Sequence, residues 1–256
     1  PLTPPSLPQV YRETGVLMRG LAHPAIFSSS RSSGGGGRGV GRGVGSFEAM
    51  LTEWGAVPVG PRNFHRLLSA GESVLLFPGG AREAAKLKGE AYKLFWPDRE
   101  EFVRFAARFG ATIVPFAAVG CEDSLRLVLD ASELAALPLI GPALTARARG
   151  STPPARRGVS ANASLETDFL LPLAVPSGPP DRMYFKFGAP IKLDPSLASD
   201  RAAADAIYRD VKAEVEAGIA WLRAERARDP YRGGAVRLPY EAVAGGRQAP
   251  TFSLDD

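Results

Sequence analysis

Val74-Leu75-Leu76-Phe77-Pro78-Gly79-Gly80-Ala81-Arg82-Glu83 decides how this chain is read, because a short apolar run stops at a proline and two adjacent glycines with a cation and an anion just beyond. Four apolar residues bounded by turn formers predict a buried strand over 74–77. The glycines let the backbone take positive φ and approach a ligand closely. Backbone N–H groups beside a guanidinium suit an anion or a developing oxyanion. A plain turn at a strand end also accounts for the glycines, but not for the gathering of Arg82, Glu83, Lys86 and Lys88 beside them.

Working outward, Asp98 and Glu101 make a capping-box-like start. Phe102, Phe105, Ala106 and Phe109 form one apolar stripe that Gly110 closes, which predicts a helix over 99–109. Thr112 to Phe116 reads as the next buried strand. Together these predict a right-handed βαβ unit in a parallel sheet, with the Gly-Gly turn at the carboxyl end of its first strand, where open α/β sheets bind ligands. Farther on, a short Leu/Ala helix is expected at about 131–137, a strand around Phe169, and an alternating strand over Met183 to Phe187. A long helix starts near Asp200, with Ile207, Val211, Val215, Ile219 and Leu222 on its core face.

Residues 28–46, Ser-rich and then Gly/Arg-rich, and residues 141–165, rich in Arg, Pro and Ser, read as flexible insertions. Residues 233–256 show no periodicity and read as a loose tail. The fold expected is α/β, a single domain over 1–232 with a mostly parallel sheet flanked by helices.

A chain of 256 residues, 45% hydrophobic, can bury a sizeable core. Its 31 basic and 27 acidic residues leave a net charge of +4, too small an excess to point to nucleic acid but compatible with an anionic membrane surface. No apolar run is long enough for a transmembrane helix, so contact with lipid would be peripheral. The lone Cys121 excludes an internal disulfide framework and reads as packing. His65 follows an amphipathic pattern that places it toward solvent.

Phe77-Pro78-Gly79-Gly80-Ala81-Arg82-Glu83, Lys88-Gly89-Glu90-Ala91-Tyr92-Lys93-Leu94-Phe95-Trp96-Pro97 and Phe109-Gly110-Ala111-Thr112-Ile113-Val114-Pro115-Phe116 occur in that order. The series resembles the acyltransferase module of the diacylglycerol acyltransferase family, in particular its plant and algal plastid branch of phytyl ester synthases. Gly55-Ala56-Val57-Pro58-Val59-Gly60-Pro61-Arg62-Asn63 is similar to the family's second block and Thr112-Ile113-Val114-Pro115 to its fourth. Tyr184 to Ile191 and Asp229-Pro230-Tyr231-Arg232 also match the plastid branch, so the resemblance covers about 10–232. In the related phosphatidate-forming acyltransferases the third block reads Phe-Pro-Glu-Gly-Thr-Arg. Here Gly79 and Ala81 replace the glutamate and threonine, a departure that favours a neutral acceptor over a glycerol phosphate.

The resemblance implies an O-acyltransferase that moves a fatty acyl group from acyl-CoA, acyl carrier protein or a lipid donor to diacylglycerol or phytol. It implies no metal or organic cofactor, because the donor is already activated. Lipid substrates and an anionic membrane surface would be its partners, in plastid membranes or plastoglobules first and the endoplasmic reticulum second. Substrate-binding residues would be Arg62, Asn63, Pro78, Gly79, Gly80, Arg82, Glu83 and Lys93, with Glu90 nearby. The superfamily's base is the histidine of an Asn-His-x-x-x-x-Asp block. His23 and His65 lack an aspartate five residues on, having Ser28 and Ala70 there, so the block is expected before Pro1 in a longer protein. His23 is the alternative base, since His23-Pro24 is similar to half of the His-Pro-His-Gly motif of the animal type 2 enzyme. Two other readings stand beside this one: a lysophospholipid acyltransferase, and a lipid-surface binding module without catalysis. No Gly-x-Ser-x-Gly elbow supports a hydrolase.

Overall fold

The structure, a computed structural model, describes residues 10–12, 14–27, 49–99, 101–151 and 172–252. They cluster into two compact units, the first drawn from residues 1–85, 95–98 and 135–171 and the second from 86–94, 99–134 and 172–256.

The first unit is built on three parallel strands, β1 (Met18–Ala22), β2 (Val57–Pro58) and β3 (Ser73–Leu75), in the order β2-β1-β3. Gly20 pairs with Leu75 on one side of β1 and Ala22 with Pro58 on the other. Between β2 and β3 runs α1 (Pro61–Ser69), whose N1 proline is pre-set for a helix start. Arg19 ties together the loops that enter the outer strands: its Nε donates to Gly55 O at 2.6 Å and its Nη1 lies 3.7 Å from Glu72. Gly55 has φ 74°, and a Cβ there would sit 2.4 Å from Arg19 Nε, so glycine is required on both counts. After β3 comes the short α2 (Gly80–Ala84).

In the second unit the expected helix forms as α3 (Glu101–Ala107), and Gly110 closes it at φ 58°. Val103, Ala106 and Ala107 are buried. The expected βαβ unit does not form. Thr112 to Phe116 is split into β4 (Thr112–Ile113) and β5 (Phe116–Val119), and neither pairs with β3. They continue through β6 (Leu125–Leu129) and, beyond the small helix α4 (Ala131–Ala135), meet a returning segment of β7 (Leu173–Pro176), β8 (Tyr184–Phe187) and β9 (Ile191–Lys192).

Every one of these pairings is antiparallel: β4 with β9, β5 with β8 and β6 with β7. They follow one another as three separate two-stranded pieces of one broken antiparallel ribbon over 112–129 and 173–192, and between the second and third pieces residues 120–124 and 177–183 have no strand pairing. The ribbon breaks where Val114-Pro115 faces Gly188-Ala189-Pro190, two residues against three, and Gly188 N still donates to Pro115 O at 2.8 Å. Two prolines without N–H donors and one extra residue make this a bulge. The expectation of a mostly parallel sheet is therefore corrected: among the described residues, parallel pairing is confined to β1–β3. Burial of a strand is visible in its residues; the identity and direction of its partner are not.

Helix α6 (Arg201–Arg228) starts as read, with Asp200 accepting from Ala203 N at 3.0 Å. Val211, Val215, Ile219 and Leu222 are buried on its core face. Gly218 lets it approach the ribbon, since a Cβ there would stand 2.8 Å from Ala117 Cβ. The expected insertion over 28–46, the 152–165 part of the other one and the strand around Phe169 lie outside the described residues. Residues 141–151, expected to be flexible, form helix α5 (Gly141–Ser151), where Ala143, Leu144, Ala146 and Ala148 outweigh the turn formers.

The tail is not loose either. Helix α7 (Gly234–Val243) follows Gly233, and residues 249–252 are held by a buried ion pair. Arg182 and Asp229 side chains, 7% and 1% exposed, meet at 2.9 Å. Arg182 also donates to Ala249 O and Pro250 O at 2.7 and 2.8 Å. Asp229 accepts from Tyr184 Oη at 2.7 Å, Tyr231 N at 2.6 Å and Thr251 Oγ1 at 3.1 Å. Phe252 stacks on Tyr184 with ring centroids 5.2 Å apart. Carbonyls that read as featureless tail thus complete the donor set of an arginine far earlier in the chain.

Burial alone would raise the Asp229 pKa, but Tyr184, the Tyr231 N–H and Arg182 outweigh it and hold the carboxyl below its usual range. A carboxylate depressed in the folded state stabilises the fold above about pH 4 and loses that contribution as pH falls through the lower folded value. Replacing Asp229 by alanine is expected to cost about 3–5 kcal/mol in chemical denaturation, because the buried guanidinium loses its nearest counter-ion and keeps only Glu241, at 3.9 Å. The conservative Asp229→Asn is expected to flatten the acid branch of the stability-against-pH curve relative to the parent.

Candidate functional site

Because β1, β2 and β3 run the same way, their carboxyl ends lie along one edge of the sheet. Past β1 comes His23, half-buried; past β2 come Val59, Gly60 and the first turn of α1 with Arg62 and Asn63; past β3 come Phe77 to Glu83. Val59 N donates to Ala22 O at 2.7 Å, and Asn63 Nδ2 donates to Pro58 O at 2.8 Å, which folds the start of α1 back onto the strand ends. Asn63 is thus spent, at least by one donor, on shaping the edge. Arg62 is exposed on α1. His65, on the same helix, is exposed and shares a 3.2 Å hydrogen bond with Ser69 Oγ.

The Gly-Gly turn owes both glycines to geometry. Gly80 stands at φ 51°, the left-handed region. Gly79 is buried, and a Cβ on it would fall 2.1 Å from Glu83 Cδ. Glu83 therefore curls back from α2 over Gly79, and its Oε1 accepts from Phe95 N at 2.9 Å. Arg82 lies over the Phe95 ring with its Cζ 3.8 Å from the centroid. Two adjacent charged side chains grip one aromatic residue, which locks the turn to residues 95–98 within the first unit. Stacking engages the face of a guanidinium, while carboxylates, carbonyls and oxyanions bind its edge.

Lys93 belongs to the other unit, exposed on the segment 86–94. That segment is pinned to the ribbon: Lys86 meets Glu122 at 2.7 Å, Lys88 meets Glu133 at 2.7 Å, and Lys88 N donates to Asp130 at 3.3 Å. Asp130 is held down to about 2, chiefly by Ser132 and the Glu133 N–H. Glu90 accepts from Leu87 N at 2.8 Å and shapes the local turn. The residue that sequence reading missed here is Tyr92, at φ 62°. Its N–H donates to Glu122 at 2.6 Å, its hydroxyl donates to Asp123 and accepts from Gly120 N at 3.1 Å, and Arg223 covers its ring. Burial, then the Asp123 hydrogen bond, pushes the Tyr92 hydroxyl well above its ordinary range, so it stays protonated. Only its setting after Gly89-Glu90-Ala91 hinted at such a turn.

Cys121, expected to be buried, is exposed next to Gly120 at the bend of the ribbon; desolvation and then Glu122 push its thiol upward, away from a thiolate. Among the described residues no three His, Cys, Asp or Glu side chains gather as a metal site, and no helix is long and apolar enough to cross a membrane.

Residues 46–135 match the family model described as diacylglycerol acyltransferase. Phytyl ester synthase 1, chloroplastic, from Arabidopsis thaliana is 41% identical over 90% of this chain and 31% of its own length. Phytyl ester synthase 2, chloroplastic, from the same plant is 37% identical over 98% of this chain and 34% of its own. An uncharacterized protein of Mycobacterium leprae is 37% identical over 31% of the chain. The chain spans about a third of the length of these plant relatives. No solved structure matches it.

If Gly79 is glycine to make room for Glu83, Gly79→Ala should act by evicting that side chain. The expected cost is about 1 kcal/mol from the lost Phe95 N–H bond, and Gly79→Ala added to Glu83→Ala should cost less than the sum of the two. Urea denaturation of the four-member cycle measures this coupling.

Proposed function

We propose, from the match of residues 46–135 to the diacylglycerol acyltransferase family model, that the chain is the acyl-transfer portion of a plastid enzyme that esterifies a neutral alcohol, phytol or diacylglycerol, with a fatty acid. The observation that carries this reading is the gathering of His23, Arg62, Asn63 and the Pro78–Glu83 turn on one edge of the parallel sheet. Similarity to two chloroplastic phytyl ester synthases over nearly the whole chain supports both the chemistry and the location.

In this reading the acceptor hydroxyl attacks the donor's thioester or ester carbonyl while a base takes its proton. The tetrahedral oxyanion is met by the edge of Arg82 beside the Gly79-Gly80 turn, whose Gly80 N–H is already given to Phe77 O at 3.0 Å, and collapse expels the thiolate or alkoxide, which recovers the proton. The activated donor makes a metal or organic cofactor unnecessary. Glu83 fills the space above Gly79 into which the glutamate of Phe-Pro-Glu-Gly-Thr-Arg would project, so the turn differs from that of the phosphatidate-forming enzymes at the position where they differ in sequence. This supports a neutral acceptor. Phe95 keeps the Arg82 plane oriented.

The test supplies labelled acyl-CoA with phytol, diacylglycerol and lysophosphatidate in parallel, to this chain and to a version extended at its amino end. Ester formation on phytol or diacylglycerol supports the proposal; product only from lysophosphatidate, or from none, overturns it. In the active version Arg82→Ala is expected to lower kcat at least about tenfold with folding retained, and Arg82→Lys to recover part of it, since the cation returns without the planar edge. His23→Ala decides the base: near-complete loss assigns it to His23, and unchanged turnover places it elsewhere.

A further inference from the structure

Immediately after the family match ends at residue 135, the chain turns through Leu137-Pro138-Leu139-Ile140. Leu139 is 95% exposed and Ile140 54%. A leucine almost wholly in water is already unfavourable, and Leu139 also stands at φ 70°, where a side chain strains the backbone. The strain is fixed by local bonding: Ile140 N donates to Pro138 O at 2.9 Å, the i to i+2 bond of a γ-turn, and Gly141 N donates to Leu137 O at 2.9 Å. Helix α5 then continues directly, with Leu144 N donating to Ile140 O. The tip is therefore a built feature, held out by its own backbone.

The sequence that follows it is one-sided in charge. From Leu134 to Leu165 there are four arginines, Arg147, Arg149, Arg156 and Arg157, and no lysine or acidic residue. That local excess equals the net charge of the whole chain, +4. Arg147 and Arg149 lie on α5, within three turns of the tip. Large apolar side chains at a tip followed by a basic stretch of sequence are the composition that binds an anionic lipid surface. Because Ile140 and Gly141 already spend their N–H groups inside the turn, placing the tip among acyl chains leaves those donors satisfied.

We propose that the 137–151 element is a peripheral docking device for anionic lipid bilayers, with Leu139 and Ile140 entering the acyl boundary and the positive charge of the following helix drawn to headgroup phosphates. This goes beyond the chemistry proposed above, and it is read without acyl donor or acceptor, so catalysis and docking can fail separately. The whole chain is sedimented with vesicles of phosphatidylcholine, with and without phosphatidylglycerol. Binding is expected only with phosphatidylglycerol and should fall several-fold between low and high salt. Leu139→Asn with Ile140→Ser should weaken it about tenfold; asparagine tolerates positive φ, and unchanged circular dichroism excludes unfolding. Arg147→Glu with Arg149→Glu should weaken it about fivefold or more for each reversed charge. As a direct probe, the single variant Leu139→Trp should show a blue-shifted emission on adding the anionic vesicles. No binding by the parent chain, equal binding to neutral vesicles in high salt, parental binding by the Leu139/Ile140 double variant, or an unshifted emission from the Leu139→Trp variant would each overturn the proposal.

Discussion

Parallel strands leave no freedom about where their ends go. Once Met18, Arg19 and Gly20 are in register with Ser73, Val74 and Leu75, and Leu21 with Val57, the segments that follow all three strands must emerge on one edge. His23, the start of α1 and the Gly-Gly turn are far apart in sequence but are delivered to that edge by hydrogen bonding alone. Everything proposed about the chemistry rests on this register. A slip of one residue would reverse which side chains face the core and dismantle the Val59–Ala22 and Asn63–Pro58 bonds that finish the edge.

Around that edge the turn is held by an arrangement with little redundancy. Gly79 is small because Glu83 needs the space; Glu83 is there because Phe95 N needs an acceptor; and Phe95, so fixed, offers its ring to Arg82. A guanidinium stacked on a fixed ring loses few conformations when it later meets an oxyanion, which is how a binding group is preorganised.

Much of this was legible in the sequence where the signal is local. The helix closed by Gly110, the cap at Asp200 and the apolar face of α6 follow from periodicity and end signals, and the structure carries each of them; the buried strand expected over 74–77 instead ends at Leu75 and leaves Phe77 51% exposed. What could not be read is pairing between distant segments. Thr112 to Phe116 looks like any buried strand, and nothing in it says that its partner lies at Tyr184 to Lys192 or that the two run in opposite directions. The residues after 232 lack periodicity because backbone carbonyls, Ala249 O and Pro250 O, do the anchoring, and carbonyls are the same in every residue. The Gly-Gly turn was legible as a turn, but the reason for Gly79 and the aromatic partner of Arg82 were not, since both depend on Phe95 returning from twelve positions after Glu83.

The ribbon of 112–129 with 173–192 has a consequence for the chain while it is being made. Its first half leaves the ribosome long before its second, and at about 5–20 residues per second Thr112 waits several seconds for Lys192. Throughout that interval a run containing Ile113, Val114, Phe116 and Val119 offers unpaired backbone to whatever strand is near. Pro115 interrupts it, and the Arg-rich stretch 147–157 follows it out of the tunnel, so the nascent segment carries its own breaker and then its own repulsive charge.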